Sequence, residues 1–264
     1  MHSFAYHKPS STADATKAAR GSDPRYLAGG QSLVAAMKLR LSTPSDLIDL
    51  SGIAELRGIK VDAKSVTLGA MTRHAQVAAS AEIAAKIPAL VALAGGIGDR
   101  QVRNMGTLGG SLANNDPAAD WPAAVLGLGA TINTSQRRIM ADEYFTGLYE
   151  TALAPRELIV SVTFPVPQKA AYAKFRNAAS RFALVGVFVA QTAGGIRVAV
   201  TGAGGAGVFR LAEMEEALAR KWSPDSVKGV VVTTGDLNSD IHASAEYRSH
   251  LIAVMAARAV AAAG

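Results

Sequence analysis

The sequence has no cysteine among its 264 residues. That excludes disulfides, an all-thiolate metal site and any iron–sulfur cluster ligated by the chain itself. Histidine is sparse: His2, His7, His74, His242 and His250 are scattered, and no pair has the spacing of a zinc motif. Charged residues make up only 18%, and no apolar run approaches the roughly 20 residues needed to span a bilayer. The stretch Met1 to Pro9 lacks the apolar segment of a signal peptide, so a cytoplasmic location is the expectation. Hydrolase and kinase signatures, G-x-S-x-G and Walker A, do not occur.

What is present is a large apolar fraction, 49%, enough to bury a sizeable core in one large domain or a few small ones. The net charge is +6 and the isoelectric point about 9.6. The basic residues are spread along the chain and form no arm or aromatic-interleaved patch, which argues against nucleic acid. Such charge reads as solvated surface, or as attraction toward an anionic cofactor or acidic partner.

Three blocks can be distinguished. Residues 1–55 predict a helix (Asp14 to Arg20), a strand (Arg25 to Ala28), a Gly-Gly turn, a helix (Leu33 to Leu41) and a strand through Leu47 to Leu50. Residues 56–165 open with strands Gly58 to Val61 and Val66 to Leu68, β-branched as sheets prefer. Helices Thr72 to Ala79 and Pro88 to Ala94 follow. A glycine-rich segment comes next, then a helix from Trp121 to Leu128 and a strand from Leu158 to Phe164. Pro165-Val166-Pro167 suits a connector. Residues 168–264 predict strands Leu184 to Ala190 and Ile196 to Thr201, then helices Leu211 to Arg220 and Ala245 to Ala263. Without steady strand–helix alternation, the fold class is α+β.

Two segments carry candidate chemistry. Ala28-Gly29-Gly30-Gln31-Ser32 lies between a short strand and the helix beginning at Leu33. Adjacent glycines permit a tight turn and close approach to a ligand, and successive N–H groups there suit a pyrophosphate, though such a turn can also be a turn and nothing more. The second segment runs from Asn104 through Thr107-Leu108-Gly109-Gly110-Ser111 to Asp120, again pairing glycines with hydroxyls. Asp120 could accept from a ribityl or ribose hydroxyl, or could cap the helix from Trp121. Two separated Gly-Gly-plus-hydroxyl loops suggest two backbone cradles on one diphosphate.

Ala28 to Leu33 with Met37-Lys38-Leu39-Arg40, and Arg100 to Asn104 running into Thr107 to Ser111, closely resemble the two FAD signatures of a known family. It is the FAD-binding medium subunit of molybdenum hydroxylases, of the xanthine dehydrogenase and carbon monoxide dehydrogenase type. The likeness extends over nearly the whole chain, through Gly69 to Thr72, Asp142 to Phe145, Glu157 to Pro165, Lys174 to Leu184 and Glu246 to Arg248. It implies two α+β subdomains of the vanillyl-alcohol oxidase type clasping noncovalent FAD, followed by a smaller C-terminal α+β domain.

Carried over residue by residue, the resemblance implies diphosphate contacts from Ala28, Gly29, Gly30, Gln31 and Ser32, with Leu33 beside them at the cofactor, and from Thr107, Leu108, Gly109, Gly110 and Ser111. Ile97 and Ile159 would lie against the flavin, Asp120 would hold a polar group of the cofactor, and Lys174 would sit near the isoalloxazine end. Phe182 departs from the family, whose members often carry a tyrosine there; it keeps the ring but not the hydroxyl. His74 is expected on a helix surface or in packing. The implied partners are a small subunit with [2Fe-2S] clusters and a large subunit with the molybdenum cofactor, in a dimer of heterotrimers. NAD, a quinone, oxygen or another acceptor would take the electrons.

Two rival readings remain at this level. One is a self-sufficient FAD oxidoreductase of the same fold, which would need its own acid or base beside a substrate pocket. The other rests on Gly202-Ala203-Gly204-Gly205-Ala206-Gly207, which satisfies the G-x-G-x-x-G pattern of an NAD(P)-binding turn after a strand. Its acidic partner at the right distance, Asp225, falls at a helix start and not at a strand end.

Overall fold

A computed structural model describes residues 1–264. The first 50 residues build a three-stranded parallel sheet in which Asp46–Asp49 lies between Ala5–His7 and Pro24–Leu27. Parallel neighbours need crossovers, which the helices Thr12–Ala18 and Leu33–Lys38 supply. The first helix starts two residues earlier than its composition suggests, because the Ser11 side chain accepts from Asp14 N and caps it.

A five-stranded antiparallel sheet follows, ordered Ile59–Val61, Ser65–Gly69, Ile159–Pro165, Thr131–Thr134, Arg138–Met140. Val66, Leu68, Val162 and Phe164 turn one face of it onto the main core. Into that core pack the helices Pro88–Gly95 and Trp121–Leu128. Every residue of Trp121–Leu128 is buried, so this helix has no solvent face, and the glycine Gly129 ends it at φ 61°.

The last sheet is antiparallel: Lys169–Arg176, Ala183–Thr192, Gly195–Thr201 and Phe209–Arg210. Its second strand is apolar without alternation because both faces are covered. Val185, Val187 and Val189 meet the helix side carrying Ile252, Met255 and Ala256 of Ala245–Ala262. Phe188 and Ala190 belong to the core of the preceding sheet. Gly127 lets the buried helix cross here, since a Cβ on it would stand 2.7 Å from Phe188 Cδ1. No helix is long and apolar enough to cross a membrane.

Two expectations need correction. The glycine-rich segment is not a loop: it forms the helices Arg100–Met105 and Leu108–Asn114. Leu108 and Leu112, both fully buried, anchor the second helix, and Thr107 caps it by accepting from Gly110 N at 3.2 Å. Helix propensity is weak in Gly109-Gly110, but packing overrides it. Gly202 to Gly207 is not a nucleotide-binding turn: its preceding strand is antiparallel, and the strand Phe209–Arg210 follows it in place of a helix. Gly202, at φ 84°, donates to Pro117 O and accepts from Arg248 Nη1, so the turn joins elements of the fold. Its start, Gly202 to Gly204, is buried and not a surface connection.

Candidate cofactor site

A cavity of about 510 Å³ opens between the parallel sheet and the five-stranded sheet. Its floor begins where the strand Pro24–Leu27 gives way to the helix Leu33–Lys38. Gly30, at φ 74°, makes that turn, and Val34 N closes it by donating to Gly30 O at 3.1 Å. The consecutive N–H groups of Gly29, Gly30, Gln31, Ser32 and Leu33 donate to no protein acceptor, and all five residues face the cavity. Successive free amides of this kind form a concave donor set for an anion.

The second segment comes against the first. A Cβ on Gly29 would strike the Met105 carbonyl, and one on Gly110 would lie 3.4 Å from Ala28 Cβ. Yet the second segment is no matching row of amides. Leu108 N donates to Thr72 O at 3.0 Å, Gly109 N to Ala70 O at 2.8 Å and Ser111 N to Thr107 O at 3.1 Å. Thr107 keeps a free N–H, and Thr107, Gly109, Gly110 and Ser111 of this segment line the cavity. Leu108 faces the core and does not line the cavity.

Ile97 and Ile159 border the cavity. Arg103 Nη1 donates to Ile97 O at 2.8 Å and to Gly98 O at 3.3 Å, holding that turn in place. Asp120 lines the cavity too, but it does not cap its helix: its backbone is helical and Pro122 offers no N–H to cap. Its carboxylate instead accepts from the Tyr172 hydroxyl at 2.6 Å and from Lys174 Nζ at 2.8 and 3.0 Å. Lys174, 5% exposed, stands behind Asp120 and outside the lining, also donating to Gly96 O. Its charge is matched by Asp120 and is not presented bare. Burial raises the Asp120 carboxyl above the ordinary range, against the lowering pull of Lys174 and Tyr172.

Sequence reading missed several residues of the lining. Arg156 and Arg181 border the cavity with no carboxylate partner, each at positive φ (65° and 62°). Glu157, by contrast, is matched by Arg137 at 3.2 Å. With Asp120 and Glu157 paired and Asp116 the one unmatched carboxylate of the lining, the balance favours an anionic ligand. Tyr26 spans the two sheets by donating to Arg156 O at 3.0 Å. Phe182, 46% exposed, stands at the rim. His74 is not on a helix surface: it is buried, borders the cavity and accepts at Nδ1 from Trp121 Nε1 at 3.0 Å. A lone histidine in a helix carries no local signal that could have shown this.

A family model described as the FAD binding domain in molybdopterin dehydrogenase matches residues 2–167. The chain belongs to this family. It is 35% identical to the carbon monoxide dehydrogenase medium chain of Afipia carboxidovorans, over 98% of this chain and 96% of that one. Identity to the nicotine 6-hydroxylase medium subunit of Paenarthrobacter nicotinovorans is 34%, with the same coverage. Among solved structures, the carbon monoxide dehydrogenase of Hydrogenophaga pseudoflava, which lacks the Mo-pyranopterin moiety of its cofactor, has a chain matching at TM-score 0.91. That match is 32% identical and covers 99% of this chain and 97% of the other. The fold is thus the FAD-binding fold that the resemblance implied, and the chain is an oxidoreductase subunit. The residues present fit FAD: free amides and unpaired guanidinium groups suit its diphosphate, and the apolar Ile97 and Ile159 suit its ring.

Proposed function

We propose that this chain is the FAD-bearing electron-transfer subunit of a multi-subunit molybdenum hydroxylase. The observation that carries the reading is the run of unpartnered amides from Gly29 to Leu33, set in a cavity with the unpaired Arg156 and Arg181. These amides bind the diphosphate, with the Thr107 and Ser111 hydroxyls closing on it. Ile97 and Ile159 exclude water from the ring face. Asp120 retains acceptor capacity toward the cavity, since a carboxylate offers about four acceptor positions and Tyr172 and Lys174 occupy three.

FAD, when bound, supplies reversible electron storage; the protein supplies binding, orientation and electrostatics. In this reading the electrons come from [2Fe-2S] clusters of a small subunit, fed by a large subunit carrying the molybdenum cofactor. They leave to NAD, a quinone or oxygen. The three larger sheets support treating residues 1–55 and 56–165 as the two FAD-binding subdomains and 168–264 as the C-terminal domain.

Visible flavin absorbance of the purified chain, retained through gel filtration, is the first test. The second is anaerobic flavin bleaching by aldehydes, N-heterocycles or carbon monoxide. Bleaching is expected only when the iron–sulfur and molybdenum subunits are added. Turnover by the single chain in the usual enzymatic range, about 1–10³ s⁻¹, would show it to be self-sufficient and overturn the subunit assignment.

A further inference from the structure

His74 opens the helix His74–Ala78, 5% exposed, with its ring against the cavity wall. The Trp121 indole N–H can only donate, so Nδ1 must accept, and the neutral ring carries its proton on Nε2. Burial, followed by the nearby Arg103 charge, lowers the imidazole to a pKa of about 4, which keeps it neutral near pH 7. Nε2 has no protein partner. The ring borders the cavity, so this N–H is open to an acceptor carried by a bound ligand.

The position of Nε2 indicates what the acceptor is. A Cβ on Gly106 would stand only 2.7 Å from it, so Gly106 is the residue that lets the ring sit there. On its other side, Gly106 and the Met105 carbonyl abut Gly29, where the run of free amides begins. The Thr107 N–H, also free, is the next donor along. Nε2–H thus lies at the seam of the two glycine segments, beside the donors aimed at an anion. We propose that His74 is a cofactor-binding residue whose Nε2–H donates to an oxygen of the FAD diphosphate at this seam. The proposal rests on the FAD reading and deepens it. A neutral donor fits here because Arg156 and Arg181 already supply charge to the cavity.

Two isosteric substitutions separate binding from packing. His74→Asn places an acceptor near Nδ1 for Trp121 but falls short of Nε2, whereas His74→Gln reaches the Nε2 position with an amide donor. Flavin-stripped full-length protein would be titrated with FAD, and separately with ADP, which shares the diphosphate. His74→Asn should weaken both ligands by about tenfold, while His74→Gln stays within about threefold of wild type. Unfolding of the flavin-free protein should be near wild type for His74→Asn.

Unchanged affinity in His74→Asn would overturn the proposal. So would equal losses in both variants alongside lost stability of the flavin-free protein, which would mark packing alone. A loss for FAD without one for ADP would overturn the diphosphate assignment. Should His74→Asn fail to fold, histidine ¹⁵N NMR of the wild type reads the same bond. A downfield Nε2–H proton is expected on adding ADP, and no change overturns the proposal. Wild-type protein that takes up neither ligand would instead refute the FAD reading itself.

Discussion

The Tyr172 hydroxyl donates to Asp120 Oδ1 at 2.6 Å, joining the edge strand of the C-terminal sheet to the helix start that lines the cavity. Burial and the Asp120 charge raise the Tyr172 hydroxyl well above its usual range, so it remains a donor throughout the working pH range. Through this bond and Lys174, the third sheet positions a wall of the site without contributing that wall itself.

Tyr172→Phe should therefore lower stability by about 1.5–3 kcal/mol, the usual worth of a hydrogen bond to a charged group. Thermal unfolding of the flavin-free and FAD-loaded proteins would measure it. A change below about 0.5 kcal/mol would show that Lys174 alone holds the carboxylate.

Asp120→Ala leaves the Lys174 ammonium buried without its counter-charge, and breaking such pairs from one side costs about 3–5 kcal/mol. Lys174→Ala should cost a comparable amount. In a double-mutant cycle the combined variant should lose much less than the sum, because no buried charge is then left alone. Additive losses would place the two side chains in independent roles.

His74 makes stability pH-dependent. Its folded pKa, about 4, lies below the ordinary histidine value of 6.5. Between these values the unfolded chain binds more protons, so stability rises with pH across this window and falls as pH drops from 6.5 toward 4. The loss at the acid end is about 3 kcal/mol. Chemical denaturation at several pH values should show this slope reduced in His74→Gln; an identical slope in both proteins would assign it to other groups.

Gly29→Ala drives a methyl group into the Met105 carbonyl and so pries the two glycine segments apart. Overpacking of this kind costs about 1–3 kcal/mol, and here the strain falls on the seam proposed to hold the cofactor. Gly110→Val adds a branched side chain 2.9 Å from Thr107 Oγ1 and toward Ala28. Both variants should purify folded by circular dichroism yet with most of their flavin lost. Full flavin content in either would exclude that glycine from the seam.

Much of the architecture is written in short-range signals. The strand before Gly29-Gly30 and the helix after it could be placed from composition and turn chemistry. So could Trp121–Leu128, an apolar run closed by glycine, which the structure reproduces residue for residue. The apolar run from Leu184 to Ala190 marked a strand, while the cover on both its faces came only with the structure. The helix through Gly109-Gly110 was not legible, because its stability comes from Leu108 and Leu112 in the core and not from propensity.

The sequence by itself pointed to the class of site, through the resemblance of its two glycine-and-hydroxyl segments, and of most of the chain, to a family of FAD-binding subunits. Tertiary structure decided which groups remain free to act. It tied up the second segment's amides by packing that helix on Ala70 and Thr72, and left those of Gly29 to Leu33 open. It brought Trp121 to His74 across 47 positions, and Tyr172 and Lys174 to Asp120 across 52 and 54. Turn residues and hydrophobic periods act on neighbours a few positions away. The protonation and pairing of a buried side chain depend on whatever distant element packs over it, and only the folded core fixes that.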